Sequence, residues 1–170
     1  MKTTMNDRGK VAHHEAAHAV LAIRAGFGVS GGIDLDAPTS VAGAYGNAAI
    51  ALLELDETLP EDEQRRDLAR NLAIICAGAA AVAKTGGIDP SDTLLAQPGD
   101  YNLAVRHAAE SSIVGGDAEA RAVVMNVALP IAVRVVDRAD VWAAIERVAA
   151  AVLNAGGRLD RDKIESLGAV

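Results

Sequence analysis

At 170 residues the chain is long enough for one domain with a real core, and nothing forces a second. Apolar residues make up 51% of it but aromatics only 2%, so the core has to be built from Ala, Val, Leu and Ile, a composition that favours closely packed helices. A net charge of −7 without a basic block argues against a nucleic-acid surface, and the single Cys76 excludes an internal disulfide and a multi-cysteine zinc knuckle.

The segment MKTTMNDRGK leads into a polar, histidine-bearing stretch and does not read as a secretory signal. From about Arg8 to Ala25, Val11, Ala12, Ala19, Val20 and Ile23 recur at helical spacing, and Gly26 and Gly28 end the run. Next come short β-compatible pieces, Ile33 to Leu35 and Val41 to Tyr45, set between Gly, Pro and Ser; they predict a small hairpin or edge strand. Asp34 and Asp36 read as solvent-facing, and so does the acidic run from Glu54 to Glu63.

Pro60 and the acids after it open the longest early helix, which Gly86 and Gly87 close. Its apolar run from Leu72 to Ala83 surrounds Cys76, predicting a buried thiol, and is shorter than the roughly 20 residues a bilayer requires. Gly78 to Thr85 approaches a phosphate-loop pattern, but Ala83 replaces its second glycine and the segment reads as helix. Ile88 to Asp100 reads as a proline-containing loop, followed by a helix opening near Asp100. Asp117 is placed as the cap of another helix, which Pro130 should kink or break. A further helix runs to Gly156 and Gly157, and an Asp-capped short helix ends the chain. The expectation is a single mainly α domain over 1–170, with a core at about 8–115, a small hairpin or edge strand, and a C-terminal helical part at about 117–168.

The chemistry concentrates in His14-Glu15-Ala16-Ala17-His18, an HExxH pattern placed mid-helix. Residues four apart stand one turn above each other, so both imidazoles can address one ion at about 2.0–2.1 Å. Zinc lowers the pKa of a bound water toward about 7, and an adjacent carboxylate such as Glu15 can take the proton and deliver it to a leaving amine. The pattern fixes only three residues, and two surface histidines with a solvated glutamate would give the same letters. A site of this kind needs a third protein ligand, and Asp100, held after Pro98-Gly99 at a helix start, is the candidate. His107 lies two turns beyond it on the face carrying Leu103, Ala104 and Ala108. His13 and His107 are candidates for backing the ligands.

The segment VAHHEAAHAVLA resembles the zinc helix of FtsH-type (peptidase family M41) metalloproteases. That family takes its third ligand from an aspartate opening a later helix, with alanines four and eight residues on, as in Asp100, Ala104 and Ala108. NLAIICAGAAAVAKTGG and WAAIERVAAAVLNAGGRLDRDKIESL also resemble, in order, the family's glycine-ended second helix and its closing helix and tail, so the likeness spans most of 8–168. Ala17 stands at the motif glycine, and the arginine and glutamate of the family's second helix are absent.

The resemblance implies a helical zincin-like metallopeptidase domain with His14, His18 and Asp100 on Zn2+ and Glu15 as general base. It also implies an edge strand at GGIDLDAPTSVAGAYG that holds substrate. The family's ATPase module and membrane anchor are not read in this sequence, so the expected substrate is a peptide or unfolded protein, hydrolysed without ATP. Neither membrane nor nucleic acid is an expected partner, and the expected location is cytoplasmic. Homo-oligomerisation and a separate ATPase partner are compatible with this reading. The alternatives are a catalytically inactive binding or regulatory domain of the same fold, with or without zinc, and a metal-free helical interaction protein.

Overall fold

A computed structural model describes residues 7–38 and 45–169. The protein is mainly α, with a small three-stranded antiparallel sheet. The first helix, α1 (Asp7–Arg24), begins with an acid and ends with a base, as its dipole favours. Phe27 and Gly28 then donate to the Ala22 carbonyl at 3.0 and 3.1 Å, turning the chain out of the helix. From Ala16 to Ala22 every residue of α1 is buried, so this half of the helix is enclosed on all sides rather than amphipathic.

Three layers enclose it. On one side runs α2 (Glu61–Gly86), the longest helix; on another lies α7 (Ala139–Asn154); the sheet covers a third. The many alanines of α1 and α2 in this core let the two backbones come close, and His18 of α1 reaches the Ile74 carbonyl of α2 at 2.8 Å. Among the described helices α2 alone is long and apolar enough to cross a bilayer, yet 72% of its most apolar stretch is buried inside the protein. Its N-terminal half also carries a run of charged residues from Glu61 to Asp67.

The sheet has the order β2-β1-β3: β1 (Val29–Pro38) pairs with β2 (Tyr45–Ile50) on one side and β3 (Arg158–Leu159) on the other. Ile33 faces Ala48 in one ladder and Leu159 in the other. A hairpin is present: β1 contains the expected piece Ile33 to Leu35, whereas β2 begins at Tyr45 and shares only that residue with the expected Val41 to Tyr45. Residues 41–44 of the second piece lie outside the described residues. The strand β3 was not apparent in the sequence, being two residues long. Asp36 ties the sheet to α1, since Arg8 reaches it at 2.6 Å and the Gly156 carbonyl at 3.1 Å, while Asp34 pairs within the sheet with Arg158 of β3 at 3.0 Å.

The expected loop between Ile88 and Asp100 holds a short helix, α3 (Pro90–Leu95). Asp89 caps it by accepting from Ser91 and Asp92, with Pro90 at the first helical position, a start signal within a stretch that its two prolines make look irregular. Then α4 (Pro98–Ala109) begins on a second proline, with Asp100 in its first turn. Asp117 is the first residue of α5 (Asp117–Val123) rather than its cap, a place taken by Gly116. Ahead of Pro130 the chain passes through a π-helical turn, Val124–Ala128, into α6 (Leu129–Val136). The expected disturbance at Pro130 thus takes the form of one wide turn, which accommodates a ring that cannot donate a backbone hydrogen bond. The last helix, α8 (Arg161–Gly168), is capped by Asp160.

The segment from β2 to α2 is pinned by Asn71, which is fully buried. Its side chain accepts from the Leu53 amide at 2.9 Å and donates to the Leu53 carbonyl at 2.7 Å, imitating a strand partner. Asn71→Ala leaves both groups of Leu53 without that partner and should cost about 2–4 kcal/mol of stability, read as a lower urea midpoint with an unchanged slope. A loss below about 0.5 kcal/mol would contradict this role, since that is the scatter expected of an indifferent site.

Candidate metal centre

Two helices bring the predicted ligands together. His14 and His18, one turn apart on α1, point toward α4, where Asp100 projects from the first turn. The His14 and His18 Nε2 atoms are 3.0 Å apart, and Asp100 Oδ2 lies 3.0 Å from the first and 3.3 Å from the second. Donors held at about 2.0–2.1 Å from a small tetrahedral ion stand roughly 3.3 Å from one another. The observed triangle is therefore close to one face of such a coordination sphere.

The bonding around the triangle supports the same fit. His18 Nδ1 lies 2.8 Å from the Ile74 carbonyl of α2, which can only accept, so this nitrogen carries the proton. In the neutral ring Nε2 is then the lone-pair nitrogen, and it is the one turned to the site. Asp100 Oδ2 is buried and accepts no well-aligned hydrogen bond, although both imidazoles are within ion-pair range. A buried carboxylate oxygen left in that state needs a cation. His14, His18 and Asp100 can thus hold a metal ion.

Charge at the site follows from burial and proximity. Burial is the largest effect on His18 and opposes its charged form, but the fields of Asp100 and Glu15 and the bonds to Asp100 and Ile74 outweigh it and raise the imidazole to about 9. Burial likewise disfavours the Asp100 carboxylate, and the two histidines overcome it, holding the group far below the usual carboxylate range. Without metal, a proton on His18 occupies the place of the cation. Burial and the Asp100 charge push the Cys76 thiol up to about 12, so in the metal-free protein it stays protonated.

Glu15 follows His14 on α1 and is 6% exposed. Its carboxylate lies against Gly46 of β2, where a Cβ would stand 2.7 Å from Oε1 and 2.7 Å from Val11 Cγ1. Gly46 has φ +117°, a conformation that favours glycine, and so β2 passes directly beside the acid. A cleft of about 580 Å³ opens over the site. It is lined by His14, Glu15, His18 and Asp100, by β2 from Gly46 to Ala48, and by Gln97 with the start of α4 as far as Leu103. Gln97 Oε1 is buried with no hydrogen-bond partner among the described residues.

The other two histidines lie apart from the cleft. His13 Nδ1 is 2.9 Å from the Gly9 carbonyl, and its ring stacks on Trp142 at 5.7 Å. His107 Nε2 is 3.1 Å from Asn71 Nδ2, and burial lowers its pKa. Leu103, expected on the apolar face of α4, is 38% exposed and lines the cleft, while Ala104 and Ala108 are fully buried. Sequence reading missed Gly46, Gln97 and the Ile74 carbonyl. An isolated glycine in a strand was a usable signal for the first; a main-chain acceptor has no signal of its own. No protein-family model matches this chain. No curated protein matches it either.

The pH dependence has a definite sign. A histidine raised above its unfolded value of 6.5 contributes stability fully below that pH and loses it as pH rises through about 9. The urea midpoint of the metal-free protein should therefore fall between pH 6.5 and 9, and His18→Gln should flatten the fall. Metal affinity should rise over the same window, because binding displaces the His18 proton. An affinity that drops with pH, in a buffer that does not bind the metal, would contradict the assignment.

Proposed function

We propose that the protein is a zinc-dependent peptidase acting on unstructured polypeptides, with a helical zincin-like fold and a C-terminal helical bundle. The observation that carries this reading is the convergence of His14, His18 and Asp100 on one point, with Glu15 beside them in an open cleft. The resemblance of VAHHEAAHAVLA and of Asp100, Ala104 and Ala108 to FtsH-type metalloproteases supports it independently of the distances.

Two imidazoles and one carboxylate suit zinc and leave a coordination position for water. Bound there, the ion supplies Lewis acidity, activating water and polarising the scissile carbonyl. The protein does the rest. Glu15 takes the proton of the attacking water and passes it to the leaving nitrogen as the peptide bond breaks. The Ile74 carbonyl fixes the tautomer and plane of His18. In the described sheet β2 is an edge strand, and its free side can bind an extended peptide through main-chain hydrogen bonds with little demand on side chains. Such a cleft takes chains already unfolded, on their own or after a separate ATPase has opened them. Homo-oligomers and a cytoplasmic location agree with this reading, and it calls for neither nucleic acid nor membrane.

Ala17, which fills the motif glycine's place with a fully buried methyl group, favours a second reading: a domain that keeps the fold and metal but binds polypeptides without cutting them. Metal analysis with a casein assay separates the two. The purified protein should carry about one zinc per chain, and Asp100→Ala should lose it. Glu15→Gln should keep zinc but cleave unfolded casein at least ~100-fold more slowly. Zinc without cleavage supports the second reading; failure to take up zinc when it is supplied in excess sinks both.

A further inference from the structure

We infer that Gly78 of α2 is a positioning residue for the metal centre, kept without a side chain so that His14 can turn its Nε2 to the ion. The inference rests on the metal reading above. On the face of α2 that lines the cleft, Ile75 and Val82 stand seven residues apart, about two helical turns, with Gly78 between them. The His14 ring lies in that gap. A methyl group at residue 78 would stand 2.5 Å from His14 Nδ1 and 2.6 Å from Nε2, and would also overlap Cε1. Those three atoms form the edge of the ring that reaches the site, so no small tilt relieves the clash while Nε2 stays 3.0 Å from Asp100 Oδ2.

The backbone gives no other reason for glycine here. Gly78 is not among the glycines with positive φ, and it sits within a 26-residue helix where alanine is the better helix former. Ala77, Ala79, Ala80 and Ala81 surround it, all buried. The His14 ring supplies the nearest contacts to a methyl group at this position, and it is the free end of a side chain. In Gly78→Ala that ring can swing toward the cleft, sparing the fold, whereas the triangle with His18 and Asp100 is lost.

The test joins zinc affinity, measured by competition with a chromophoric chelator, to a metal-free urea cycle over wild type, Gly78→Ala, His14→Ala and the double variant. Zinc should bind at least ~10-fold more weakly to Gly78→Ala. Without metal, Gly78→Ala should raise the urea midpoint more in the His14→Ala background than in the wild-type one, because only the latter has a ring to displace. If Gly78→Ala does not fold in the wild-type background but does with His14→Ala, the contact is equally established. Unchanged zinc affinity overturns the inference. So does an equal midpoint shift in both backgrounds, or a double variant that also fails to fold, since each assigns Gly78 to helix packing. A wild-type protein that takes up no zinc is a different result and fails the metal reading itself.

Discussion

A carboxylate oxygen held in the interior without a well-aligned hydrogen bond, facing two imidazoles, is the constraint on which the rest of this structure depends. Asp100 Oδ2 cannot stay charged there without a positive partner, and the geometry offers a proton on His18 or a metal ion among all three groups. Each element around the site answers that demand. The helix α1 presents two rings one turn apart, α4 starts on Pro98 so that Asp100 falls in its first turn, and α2 lends a main-chain carbonyl to orient one ring.

Small side chains make the arrangement possible. A core of alanines and aliphatics, nearly free of aromatics, brings α1 and α2 close enough for Ile74 of one helix to bond His18 of the other. The same economy operates at Gly46, where β2 approaches Glu15 more closely than any side chain would permit. Polar ties at the edge then fix the layers. Arg8 joins α1 to β1 and to the turn before β3, and Asn71 fastens the segment between β2 and α2. Helices and an edge strand together line the cleft.

The helices were readable because they carry ordinary signals. Pro60, the acids after it and the Gly86-Gly87 stop mark α2 to within a residue, and the glycines after α1 and α7 do the same. The three residues that can hold a metal ion were readable as candidates as well, since HExxH sets two histidines one turn apart, and Asp100 stood out by its place after a proline at a helix start. Less was legible where local sequence carries little periodicity. The helix α3 is too short for a repeat, and β3 has only two residues, paired to a strand more than a hundred positions away. The contacts of Gly46 and the Ile74 carbonyl with the site are made by packing between distant segments, which one strand's or helix's pattern cannot encode.

Crystals grown with zinc, with diffraction data collected above and below the zinc absorption edge, test the coordination directly. The expected result is one anomalous peak about 2.0–2.2 Å from His14 Nε2, His18 Nε2 and an Asp100 carboxylate oxygen, with the Ile74 carbonyl still bonded to His18 Nδ1. Zinc bound only at other residues, or a structure in which His14 or Asp100 turns away from a fully occupied ion, would contradict it.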